Sequence, residues 1–103
     1  MCVYSFEEIA ERVRPVAEKY GLKSVYLFGS YARGDADDDS DVDLLVDAEN
    51  VHGFRFFGMY DEFCTALEKQ VDMVTLRTLE QERGTSYGKR FVQAVELDRR
   101  RLI

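Results

Sequence analysis

Apolar residues recur at helical spacing near the start of the chain, at Phe6, Ile9, Val13, Val16 and Tyr20, and predict an amphipathic helix. Ser5 followed by Glu8 supplies a capping box at its start, and Gly21 a stop. Pro15 falls inside the pattern, where it removes a backbone donor, and predicts a kink or an early end. The spacing then changes. KSVYLF, residues 23 to 28, is β-branched and aromatic and predicts a buried strand; DVDLLV, residues 41 to 46, predicts the next.

Between Phe54 and Gln70 a second helical stripe is formed by Phe56, Met59, Tyr60, Phe63, Cys64 and Leu67, and a short strand, VDMVT, follows it. After Gly84 and Ser86, the segment YGKRFVQAVELDRRR predicts a closing helix. Phe91, Val92, Val95 and Leu102 are its apolar contacts, and Arg99 to Arg101 lie near its C-terminal dipole as a solvated helix end. The order helix, strand, strand, helix, strand predicts an α/β or α+β fold, with one small mixed sheet packed by helices in a single domain over residues 1–103.

Charge changes this picture more than composition does. Net charge is -6, yet seven of the 20 acids lie between residues 34 and 47, with no base among them; the remaining 13 acids face 14 bases. The body is nearly neutral and the acidity is local. That argues against an extended nucleic-acid surface and for a bound cation. The opening MCVYSFEEIAERVRP breaks its apolar residues with charge, which excludes a secretory signal and a membrane helix and predicts a cytoplasmic protein. Cys2 and Cys64 lack metal-ligand spacing and are expected to stay reduced.

The local acidity sits in FGSYARGDADDDSDVDLLV, residues 28 to 46. Side chains two apart on a strand share a face about 6.5 Å apart, so Asp41 and Asp43 are expected to project together while Val42 and Leu44 enter the core. Gly29 permits close backbone approach, and Ser30 offers a hydroxyl at the start of a short helical turn, SYAR; both suit phosphate oxygens. For Gly29 and Ser30 to face Asp41, the first two strands must be antiparallel neighbours. A crossover through the 54 to 69 helix makes the third strand parallel to the second and brings Asp72 beside Asp43. Three carboxylates beside a phosphate cradle suit two Mg²⁺ ions about 3.5 to 4 Å apart and imply nucleotidyl transfer.

Gly29-Ser30, Asp41-Val42-Asp43 and Asp72 together resemble the signature of the DNA polymerase β-like nucleotidyltransferases, in particular the minimal, antitoxin-type nucleotidyltransferases. The resemblance covers residues 5 to 75. It implies that Asp41, Asp43 and Asp72 bind metal and serve catalysis, Asp72 also helping to deprotonate the acceptor, and that Gly29 and Ser30 hold the triphosphate of ATP. It further implies a HEPN-type ribonuclease toxin as partner, with a tyrosine receiving AMP. The alternatives are a non-catalytic binding antitoxin or scaffold, and a small-molecule nucleotidyltransferase completed as a homo-oligomer.

Other residues read more plainly. Asp35, Asp37, Asp38 and Asp39 are expected in a solvated loop. An EF-hand reading of that loop fails because Ser40 stands where it needs Gly and Val46 where it needs Glu. Asp72 as a strand-edge or capping carboxylate is the structural alternative to its site role. Arg33 either meets a phosphate or pairs with neighbouring acids, and Tyr31 is expected to be an exposed loop tyrosine. His52 lies in a turn without a nucleophile beside it. Phe54, Phe56 and Phe57 exceed what one helix face buries, and with the closing helix are expected to rim the site for a partner.

Overall fold

The Ser5 capping box forms as the sequence dictates: Glu8 N–H donates to Ser5 Oγ at 3.1 Å, and Ser5 N–H to Glu8 Oε1 at 3.0 Å. In the computed structural model, which describes residues 3–84 and 88–103, this box opens helix α1, Phe6–Tyr20. Cys2, and the Ser86 and Tyr87 expected at the start of the closing helix, lie outside the described residues. Gly21 ends α1 in the left-handed region at φ 65. Pro15 does not end the helix. It stands on the exposed side, where water can satisfy the carbonyl that its missing N–H leaves unbonded.

Strand β1 (Ser24–Phe28) leads directly into the short helix α2 (Gly29–Arg33), and β2 follows as Val42–Asp47. Helix α3 (Phe54–Leu67) returns the chain to β3 (Val71–Thr75). Helices α4 (Leu76–Arg83) and α5 (Gly88–Asp98) and a two-residue strand β4 (Arg100–Arg101) complete the order. The sheet runs β3-β2-β1-β4, with β2 antiparallel to β1 and parallel to β3. Both pairings are those the acidic motif required.

Alternation along β2 divides the core. Val42, Leu44 and Val46 join Ile9, Val13, Met59, Phe63 and Leu67 under α1 and α3. On the other face Leu45 meets Phe28, Leu79, Val92 and Val95 under α4 and α5. Leu44, Leu45 and Val46 are all fully buried, so the strand is apolar on both sides between Asp43 and Asp47. Truncating either leucine to Ala would cost about 2–5 kcal/mol. The α1–α3 pair is also tied by polar groups, since Lys19 and the Tyr20 hydroxyl both bond Glu62.

Three expectations change. Helix α4 was not foreseen; it starts where Thr75 Oγ1 accepts from Thr78 N–H at 3.1 Å, a cap placed directly at the end of a strand. All three arginines of the run Arg99 to Arg101 are exposed, and Arg99 N–H still donates to Val95 O at 2.9 Å in the last turn, but Arg100 and Arg101 are not a helix end. The helix stops at Asp98, and Arg100 and Arg101 pair with Leu27 and Tyr26 of β1 while Leu102 is buried. Their guanidinium groups lie over aromatic rings, Arg100 at 4.1 Å from the Phe6 centroid and Arg99 at 5.1 Å from that of Tyr26. Tyr31 is buried in the core rather than exposed. Among the described residues, no helix is long and apolar enough to cross a membrane.

Candidate active site

Register brings the sequence-selected residues to one end of the sheet. Phe28 pairs with Asp43 across the antiparallel strands, so Gly29, the next residue, stands beside the Asp43 carboxylate. A Cβ on Gly29 would lie 2.1 Å from Asp43 Oδ2, and the glycine holds φ 72, so this position rejects a side chain on two grounds. Ser30 follows in the first turn of α2, whose N-terminus carries no side-chain cap. Across the parallel pair, Asp43 is in register with Asp72. Adjacent strands lie about 4.8 Å apart, so the two carboxylates are neighbours. Asp72 is exposed and sits on an edge strand, as its structural alternative required, and also beside Asp43, as the site required.

Asp43 is the electrostatic centre of this group. Its pKa is pushed up to about 6, first by burial, then by the Asp72 charge and a hydrogen bond shared with Asp72, and then by the Asp41 charge; Arg33 opposes the shift. Asp41 lies one residue outside β2 and is exposed, not a strand residue as expected, though near enough for its charge to act on Asp43. Among the described residues, no three His, Cys, Asp or Glu side chains close into a metal-ligand cluster. The donors still fit a hard divalent cation. They are carboxylate oxygens, one of them half-buried among like charges whose repulsion a cation would relieve.

The surrounding charges are arranged by contacts that the sequence reveals only in part: pairing with a neighbouring acid is one of the two roles it leaves open for Arg33. Arg33 pairs with its neighbour Asp35 at 3.1 Å and with Asp98 of α5 at 2.8 Å, tying α2 to the closing helix. Asp35, Asp37, Asp38 and Asp39 are exposed as expected, but Asp37 is also a turn residue: its carboxylate accepts from Asp39 N–H at 3.0 Å and from the Ser40 hydroxyl. Lys69 donates to the carbonyls of Asp38 and Ser40. Backbone acceptors leave no trace in a sequence, so Lys69 went unmarked.

The other end of the sheet is different in character. A pocket of about 940 Å³ there is lined by Val51, His52, Phe56, Leu76, Arg77 and neighbours, around the ends of β2 and β3 remote from Asp43 and Asp72. Phe54 and Phe57 are exposed, at 92% and 67%, as expected. They do not rim the acids. Helix α3 begins at the Asp47 end of β2, about 13 Å along the strand from Asp43. Cys64 is partly buried against the core.

Residues 9–103 match the family described as Nucleotidyltransferase domain. A protein adenylyltransferase, MntA, of Thermococcus cleftensis is 36% identical over 84 residues, 77% of this chain and 85% of that protein. A solved structure described as a candidate minimal nucleotidyltransferase superposes with TM-score 0.68 and 28% identity, covering 97% of this chain and 98% of that one. A chain from a complex of tri-AMPylated Shewanella oneidensis HEPN toxin with MNT antitoxin shares the fold, with TM-score 0.63 and 22% identity over 95% of this chain and 71% of that one.

Proposed function

The chain belongs to the nucleotidyltransferase domain family, and from that premise we propose that it is a Mg²⁺-dependent protein adenylyltransferase, moving AMP from ATP to a hydroxyl of a HEPN-type ribonuclease toxin for which it serves as antitoxin. The observation that carries this reading is the meeting of Gly29, Asp43 and Asp72 at one end of the sheet. It is supported by the likeness to a named protein adenylyltransferase and by the AMPylated toxin in a complex of the same fold. ATP and a reducing environment would be met together in the cytoplasm.

Each residue has a role that its chemistry suits. The backbone at Gly29 lets phosphate oxygens approach, and the Ser30 hydroxyl donates to one of them. Asp41, Asp43 and Asp72 would hold Mg²⁺. When bound, the metal supplies positive charge against the triphosphate and favours the deprotonated form of the acceptor hydroxyl. Asp72 accepts the proton of that hydroxyl. The acceptor oxygen bonds to the α-phosphorus, the bond from that phosphorus to the bridging oxygen breaks, and pyrophosphate leaves with its electrons. Arg33, held by Asp35 and Asp98, keeps a positive charge at the edge of the acids.

In this reading the partner presents its own hydroxyl, as the likeness to a protein adenylyltransferase supports. Exposed Phe54 and Phe57 offer apolar surface for that partner, which then spans the sheet to reach Asp72. Incubation with the protein encoded next to this one, ATP and Mg²⁺ should add about 329 Da per AMP to the partner, the mass left after pyrophosphate departs. A stable complex whose partner never gains mass would favour inhibition by binding alone. Transfer to a small alcohol without the partner would favour the small-molecule alternative.

A further inference from the structure

Of the three acids, Asp41 is the one that no strand ladder holds: it precedes β2 and is exposed, among loop carboxylates that repel it. Its flanking peptide groups are nevertheless both fastened to one turn. Val42 N–H donates to Gln70 O at 3.1 Å, and the Ser40 carbonyl accepts from Lys69 Nζ at 3.1 Å. The same ammonium donates to Asp38 O at 2.8 Å and stands 5.9 Å from the centroid of the Tyr31 ring, which the core holds. An ammonium that merely neutralised this loop would bond its carboxylates. Among the described residues, the bonds of Lys69 go to carbonyls instead.

We infer that Lys69 is a positioning residue: it anchors the backbone before Asp41 to the turn that opens β3, and so fixes Asp41 relative to Asp72. The turn performs both tasks because β3 begins at Val71, two residues after Lys69, and Asp72 is its second residue. This role rests on the reading of Asp41 and Asp72 as metal ligands. It makes the spacing between the first and third acids depend on a side chain whose bonds, among the described residues, go to neither carboxylate.

The sign of one measurement separates positioning from simple charge. Removing a positive charge beside carboxylates should tighten binding of a divalent cation, whereas releasing a ligand from its place should weaken it. The whole protein is titrated with Mn²⁺, followed by the paramagnetic resonance of the free ion, as wild type, Lys69→Met, Lys69→Arg and Asp41→Asn. The expected result is a Kd about tenfold higher in Lys69→Met, largely recovered in Lys69→Arg, with faster amide exchange at Asp41 and Val42. Lys69→Gln serves as a second variant if Lys69→Met aggregates. Unchanged or tighter Mn²⁺ binding in Lys69→Met, where Asp41→Asn weakens it, overturns the positioning role alone. Mn²⁺ binding that Asp41→Asn leaves unchanged overturns the metal-site reading, and this role with it.

Discussion

Gly29 and Asp43 face each other so closely across the β1–β2 pair that one methyl group on Gly29 would occupy the space of the Asp43 carboxylate. The contact joins the residue proposed to admit phosphate to the residue at the centre of the acids. A change at either must be felt at both.

Gly29→Ala therefore should abolish ATP binding and also destabilise the fold. The left-handed backbone alone costs about 1–2 kcal/mol with a Cβ, before any displacement of Asp43. Urea unfolding would measure the second effect and nucleotide titration the first. Retained ATP affinity with a normal unfolding midpoint would place the phosphates elsewhere.

The raised pKa of Asp43 gives stability a direction with pH. Because the folded protein holds this proton up to about pH 6 and the unfolded chain releases it near the ordinary aspartate value of 3.8, the metal-free fold loses stability as pH rises between those values. Above about pH 6 the loss is complete. Asp43→Asn should accordingly raise the melting temperature at pH 8 and leave it unchanged at pH 3, while ending AMP transfer. Thermal melts at the two pH values check this; an equal effect at both would mean that Asp43 charge is not the cause.

The loop acids should divide. Asp38→Asn, at an exposed carboxylate that bonds no side chain or backbone group among the described residues, should keep transfer within about twofold. Asp37→Ala should lower it further, since it removes the acceptor for Asp39 N–H and the Ser40 hydroxyl just before Asp41. Initial rates of partner labelling would rank them.

Much of this site was legible because its parts are local or periodic. The Ser5–Glu8 box, the two stripes and the alternation along Val42-Asp43-Leu44 are short-range signals, and the crossover length foretold the Asp43–Asp72 register, although Asp41 stands outside the strand that the same alternation predicts for it. The misses were long-range or aperiodic. Asp98 meets Arg33 from 65 residues away. Helix α4 buries Leu79 almost alone on a polar stretch, so its stripe was too thin to see, and its Thr75 cap read as a strand end. Arg100 and Arg101 look like a solvated helix tail until β1 offers them an edge. The distance of Phe54 from the acids was implicit in the topology, which makes a rim at that point geometrically unavailable.

Phe54→Ser and Phe57→Ser should leave ATP affinity intact and stability within about 0.5 kcal/mol, because both rings are largely in solvent already. Affinity for the partner should fall about tenfold or more if these rings are its anchors. Calorimetry on the purified pair reads the affinity. An unaltered Kd would assign the docking surface to another face.

The strand that carries Asp43 at one end releases the chain toward Phe54 from the other, and that polarity has an evolutionary consequence. If the proposed docking at the aromatic end holds, substitutions that refit it to a drifting partner need not pass through the residues proposed to handle phosphate, so affinity and turnover are exposed to selection as separate traits. Lineages built on this plan are expected to diverge fastest around residues 48 to 57 while keeping Gly29, Ser30, Asp41 and Asp43 nearly fixed. Exchanging the first of these segments between two relatives should exchange their choice of partner and leave the rate of adenylyl transfer with the recipient.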